Sequence, residues 1–168
     1  MSIVASFKKF GHRRVITPLI GQLKQGTSPD KLASSLAWGF AIALFPILGT
    51  TTILCIVIGY LRKLNHVAVQ LVNYLAFPLH VALLVPFLKA GDWLFRNPVT
   101  SYSLPALLHE FEKSPVDFAR HYAFAALGGI IVWAVLIPLP AIGVYYASRP
   151  WLTRLSIKIE KFRHRTAE

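Results

Sequence analysis

Residues 32–61 form an apolar run closed by Lys31 on one side and Arg62 on the other, with Pro46, Gly49 and three consecutive threonines, Thr50, Thr51 and Thr52, in its middle. An unbroken helix of about 30 residues would reach about 45 Å, against a hydrocarbon core of about 30 Å. Pro46 removes a backbone donor and clashes with the turn before it, and Gly49 lets the chain bend. Two half-helices are therefore expected, either as a kinked crossing or as a re-entrant hairpin. Irregular backbone at membrane depth has to be buried in protein or line a wet cavity. The threonine hydroxyls can satisfy the backbone groups freed there, and they can equally face a ligand. The residues leave both readings open.

The rest of the chain repeats this style. Residues 64–95 give a second apolar segment, with Asn73 and Pro78 inside it as a polar filler and a break, and Gln70, His80 and Pro86 nearby. Residues 121–148 give a third, in which Gly128 and Gly129 allow close helix contact and Pro138, Pro140 and Gly143 mark another kink. Gly26-Thr27-Ser28-Pro29-Asp30 reads as a helix stop followed by a capped start. Residues 96–120 hold Glu110, Glu112 and Asp117 among several prolines and form the expected non-cytoplasmic loop, with a short helix over Leu104 to Phe111. The fold class that follows is all-α, an integral membrane protein of broken or re-entrant helices.

Charge sets the orientation. The chain has 18 Lys and Arg against seven Asp and Glu, and the basic residues cluster outside the apolar runs. A soluble nucleic-acid module would carry such an excess on a polar surface; here it flanks lipid-soluble segments, as on the cytoplasmic side of a bilayer. Residues 1–26 place Phe7, Phe10, Leu19 and Leu23 at helical spacing with Lys8, Lys9, Arg13 and Arg14 between them. They read as basic amphipathic interfacial helices rather than a secretory signal. Residues 149–168 read as a second such helix, with Trp151, Leu155, Ile159 and Phe162 as its apolar face. Both termini are then cytoplasmic. The preferred topology makes 32–61 re-entrant from the cytoplasmic side, with 64–95 crossing outward and 121–148 returning. The alternative, with 121–148 re-entrant, places Arg62 and Lys63 outside, against the positive-inside rule.

No catalytic or metal-binding pattern accompanies these segments, so the protein reads as a non-enzyme without cofactor or metal. The one cysteine, Cys55, sits in the first run. No Asp or Glu lies within 32–61, 67–88 or 121–148, which counts against proton coupling through an intramembrane carboxylate. The interior is neutral to positive. A half-helix starting near Gly49 would offer free N–H groups at Thr50–Thr52, with Asn73 beside them and Arg62 supplying charge.

Three stretches carry a resemblance: Leu23-Lys24-Gln25-Gly26-Thr27-Ser28-Pro29, Phe45-Pro46-Ile47-Leu48-Gly49-Thr50-Thr51-Thr52, and Val69-Gln70-Leu71-Val72-Asn73-Tyr74-Leu75-Ala76-Phe77-Pro78-Leu79. Together they resemble a bacterial membrane family catalogued as domain of unknown function "twenty sixty-two", over roughly residues 17–165. Some members look to be attached to glycosyltransferases that use polyprenyl-phosphate lipids, so the resemblance implies lipid-carrier handling at the inner membrane.

The function expected from all this is binding or translocation of a phosphate-bearing lipid of polyprenyl-phosphate type, or of another anionic solute. Thr50, Thr51, Thr52 and Asn73 would line the site and Arg62 would attract the anion. Anionic membrane lipids are the expected partners, with a homo-oligomer or an envelope-assembly partner as further ones. The rival expectation is a membrane scaffold or accessory subunit whose polar breaks only shape packing.

Overall fold

Serine and proline punctuate the helices. The computed structural model describes residues 16–95 and 103–165, and every element in these residues is helical: α1 Thr17–Lys24, α2 Pro29–Ala43, α3 Thr51–Leu61, α4 His66–Leu75, α5 Phe77–Phe95, α6 Leu104–Lys113, α7 Pro115–Leu136 and α8 Pro138–Arg165. Gly26 ends the first turn of chain at a φ of 86°. The Ser28 hydroxyl then accepts from the Lys31 N–H, with Pro29 and Asp30 in the first turn of α2. Ser103 and Ser114 cap α6 and α7 in the same way, each with a proline in the first turn that follows. A serine oxygen takes up one orphan N–H, and a proline there lacks only a donor that had no partner.

The first run is broken where its residues require it, α2 ending at Ala43 and α3 starting at Thr51. The second breaks at Ala76, two residues before Pro78, and α5 leaves α4 at 64°. The third differs from expectation. Its helix starts at Pro115, inside the expected loop 96–120, and bends by 40° between Leu136 and Pro138. From Pro138 a single helix continues through Pro150 to Arg165, so no helix end falls at residue 148. The tail is therefore not a separate surface helix. Its Leu152 is fully buried among Leu19, Leu23, Leu32 and Ala68, and packing of that inner face holds α8 in one piece. Residues 1–15 of the expected N-terminal interfacial segment and 96–102 of the expected loop lie outside the described residues.

The packing has the shape of a fork. α5 and α7 form the stem, crossing where a Cβ on Gly91 would stand on the backbone of Ala125, Gly128 and Gly129. Past their bends, α4 and α8 separate, and α2 packs against both. Gly39 permits the approach of α2 to α4, since a Cβ there would lie 2.8 Å from the Val69 carbonyl. The hairpin α2–α3 thus enters the fork from its open end, with α3 returning against α4. Its tip lands in the crotch. Leu44 is buried with Phe87 and Ile137, and Phe45 meets the Trp133 ring edge-on at 5.2 Å. The Trp133 indole N–H donates to the Ala41 carbonyl at 2.9 Å.

Among the described residues no single helix is long and apolar enough to cross a membrane, but the bent pairs α4–α5 and α7–α8 meet the length and composition together. Large apolar side chains cover much of the outside, Ile53, Phe77, Ile131, Val135 and Leu139 among them. The open end of the fork carries Lys31, Arg62 and Lys63, and the stem end carries α6 with Glu110 and Glu112.

Candidate functional site

The hairpin tip gathers most of the residues expected to bind a ligand, and largely turns them on one another. Gly49 takes a φ of 80°, a conformation that suits glycine. The Thr50 hydroxyl donates to the Ile47 carbonyl at 2.9 Å and does not cap α3. Thr51 is buried. The Thr52 hydroxyl accepts from the Asn73 amide at 3.4 Å, and the Thr52 carbonyl accepts from the Gln70 amide at 3.4 Å. Asn73 also donates to Gln70 at 3.4 Å. On α5, His80 is buried, and its Nε2 has no hydrogen-bond partner. Backbone repair thus accounts for Thr50, and a neutral network ties Thr52 to the elbow between α4 and α5.

Arg62 is not part of this group. The 11 residues of α3 put it about 16 Å along the helix axis from Thr51. Its guanidinium lies 5.0 Å above the centre of the Trp38 ring, a cation–π contact at the base of the hairpin.

That same Trp38 is a wall of a groove on the other side of α2. The groove has a volume of about 520 Å³ and runs between α2 and the α7–α8 bend. Ser34, Ala37, Trp38 and Ala41 supply its floor from one face of α2, at the three- and four-residue spacing that lines up side chains on a helix. Trp133, Ile137 and Tyr145 are among the residues of the opposite wall. The small residues leave room, and the bend at Ile137 keeps α7 and α8 from closing it. The groove is apolar along its length and polar at one end. There the Tyr145 hydroxyl reaches the Asp30 carboxylate at 3.5 Å, and Arg149 forms an exposed ion pair with the same carboxylate. Thr50, Thr51, Thr52 and Asn73 line no part of it.

Three features escaped the sequence reading. Asp92 is buried in α5, beyond residue 88, where the acid-free stretch was taken to end. The groove was legible only as the spacing of Ser34, Ala37 and Ala41. Asn65 is a structural hub. Its side-chain oxygen caps α4 through the Ala68 N–H at 3.0 Å, and its amide donates to Gln22 at 2.6 Å and lies 3.5 Å from the Thr27 hydroxyl. Its backbone N–H donates to Ser35, at 2.8 Å.

Residues 13–159 match the model of a family described as "uncharacterized protein conserved in bacteria", DUF2062. The chain belongs to this family. The DUF2062 match takes in the hairpin, the stem, the groove and most of α8. No curated protein and no solved structure matches this DUF2062 chain.

Proposed function

We propose that this protein lies in the bacterial inner membrane, where it binds a phosphate-bearing lipid of the polyprenyl-phosphate type, or another anionic amphiphile, without covalent chemistry. The two bent pairs cross the bilayer. The hairpin α2–α3 is re-entrant from the cytoplasmic side, and both termini are cytoplasmic. The lipid chain lies in the groove between α2 and the α7–α8 bend, and its phosphate meets Arg62 and Arg149 at the rim.

The observation that carries this reading is the groove itself. Its walls are apolar, its volume of about 520 Å³ falls in the range of ligand pockets, and its polar end coincides with the basic end of the fork. The apolar exterior supports immersion, because contiguous exposed apolar surface on this scale needs a cover. Arg62, Lys63 and Lys31 at one end and the acids of α6 at the other support the orientation.

The scaffold reading draws on the hairpin tip, where Thr50, Thr52 and Asn73 spend their hydrogen bonds on the protein. It suits those residues, and it does not explain why Ala37 and Ala41 leave a gap that larger side chains would fill.

Two measurements test the proposal. Vesicles carrying the protein are washed at alkaline pH, and the protein is expected to stay with the membrane; release into the supernatant contradicts it. Binding of a fluorescent polyprenyl phosphate is then compared between the native chain and Ala41→Trp. Filling the groove is expected to weaken binding about tenfold, a loss of about 1.4 kcal/mol. Unchanged binding by a folded Ala41→Trp chain removes the groove from the account.

A further inference from the structure

A second basic feature lies across the hairpin from the groove. The last turn of α3, the α3–α4 turn and the first turns of α2 and α4 border an open pocket of about 410 Å³. Lys31, Lys63 and His66 line it, with Gly59, Tyr60 and Leu64, and no acid does. The nearest acid in sequence, Asp30, is turned toward α8, where it holds Arg149 and Tyr145.

The frame around these cations is fixed. Ser35 is fully buried; its hydroxyl donates to the Lys31 carbonyl at 2.6 Å and accepts the Asn65 N–H at 2.8 Å. One side chain thereby ties the start of α2 to the turn that carries Lys63. The His66 ring rests on Gly59, where a Cβ would lie 3.0 Å from the ring. α3 closes with the Leu64 N–H donating to Gly59 at 2.8 Å and the Lys63 N–H to Tyr60 at 3.1 Å, a Schellman motif. The left-handed residue of that motif is usually glycine, and here it is Lys63 at a φ of 52°. Two lysine side chains share this one pocket, and the residue that carries one of them is held in a left-handed backbone position.

We infer that the Lys31–Lys63–His66 pocket is a phosphate-binding site, taking a dianionic phosphate monoester or inorganic phosphate at the base of the hairpin. It is separate from the groove and stands whether or not the groove takes a lipid chain. The lysine ammonium groups supply the charge and the His66 ring a further donor. Ser35 and Asn65 position the set without touching the ligand.

The test is site-resolved acylation of lysines on the full chain in phosphatidylcholine vesicles, read by mass spectrometry. One arm adds inorganic phosphate; the other replaces part of the lipid with phosphatidic acid. In at least one arm, acylation of Lys31 and Lys63 is expected to slow about fivefold, as for a site mostly occupied, while Lys158 on α8 keeps its rate. Protection only by inorganic phosphate assigns a soluble ligand, and protection only by phosphatidic acid assigns a lipid headgroup; either supports the site. Lys63→Gly is expected to abolish the protection of Lys31 while melting no lower than the native chain, because glycine relieves the left-handed backbone. Ala41→Trp is expected to keep the protection, which separates this site from the groove. No protection in either arm, or equal slowing at Lys158, overturns the inference.

Discussion

The tip and the base of the α2–α3 hairpin are both polar, and their polar groups behave in opposite ways. At the tip the groups are neutral and mostly face one another: Thr50 with its own loop, Thr52 with Asn73, Asn73 with Gln70. At the base, Lys31, Arg62 and Lys63 carry positive charge beside the neutral bonds that join Asn65 to Ser35 and Gln22, and Asp30 is already held by Arg149. The difference follows from position. Deep in a low-dielectric interior an unmade hydrogen bond costs most of its desolvation, so hydroxyls and amides pair locally. In the proposed membrane placement the base lies at the surface, where water and headgroups are at hand and charge can remain available. Polar residues at a helix break are thus poor evidence of a ligand, and clustered cations without acids are better evidence.

This contrast can be broken by substitution. The largest effect is expected for Asn65→Ala, at the base, which removes the cap of α4 and the bonds to Gln22 and Thr27. A loss of about 2–3 kcal/mol should show as a lower thermal midpoint in detergent. Asn73→Leu, at the tip, is expected to cost about 1–2 kcal/mol by stranding Thr52 and Gln70, while leaving lipid affinity as it was. A large drop in affinity with stability intact would restore the tip as a binding site. Thr50→Val should cost about 1 kcal/mol, the ordinary value of one hydrogen bond, with no change in lipid affinity. Lys63→Gly is the smallest and has the opposite sign, a gain of about 0.5 kcal/mol, since relief of the left-handed backbone is partly offset by glycine's entropy.

Much of the fold was legible because it rests on local chemistry. Pro46, Gly49 and Thr50 mark where α2 and α3 separate, Pro78 marks the second elbow, and Ser28-Pro29 marks the start of α2. Gly128 and Gly129 announced a close crossing, though not that Gly91 would be its other half. The third span was expected to end at residue 148 and the tail to form a helix of its own, but α8 runs on through Pro150 with Leu152 buried on its inner face. The sites were less legible than the fold. The groove exists because α7 and α8 meet at an angle, and the pocket exists because Ser35 joins two segments distant in sequence. Arg62 was singled out for its charge, but sequence gave no sign that it would stack on Trp38, away from the threonines.

Photocrosslinking tests the central contrast most directly. The full chain in vesicles is irradiated with a polyprenyl phosphate bearing a photoreactive group in its chain, and the labelled peptides are mapped. Labelling is expected on the groove walls, at Trp38 and Ala41 of α2 and at Trp133 and Tyr145 opposite. Labelling concentrated at Thr50–Thr52 and Asn73, with the groove peptides unmodified, would contradict the assignment and return the ligand to the hairpin tip.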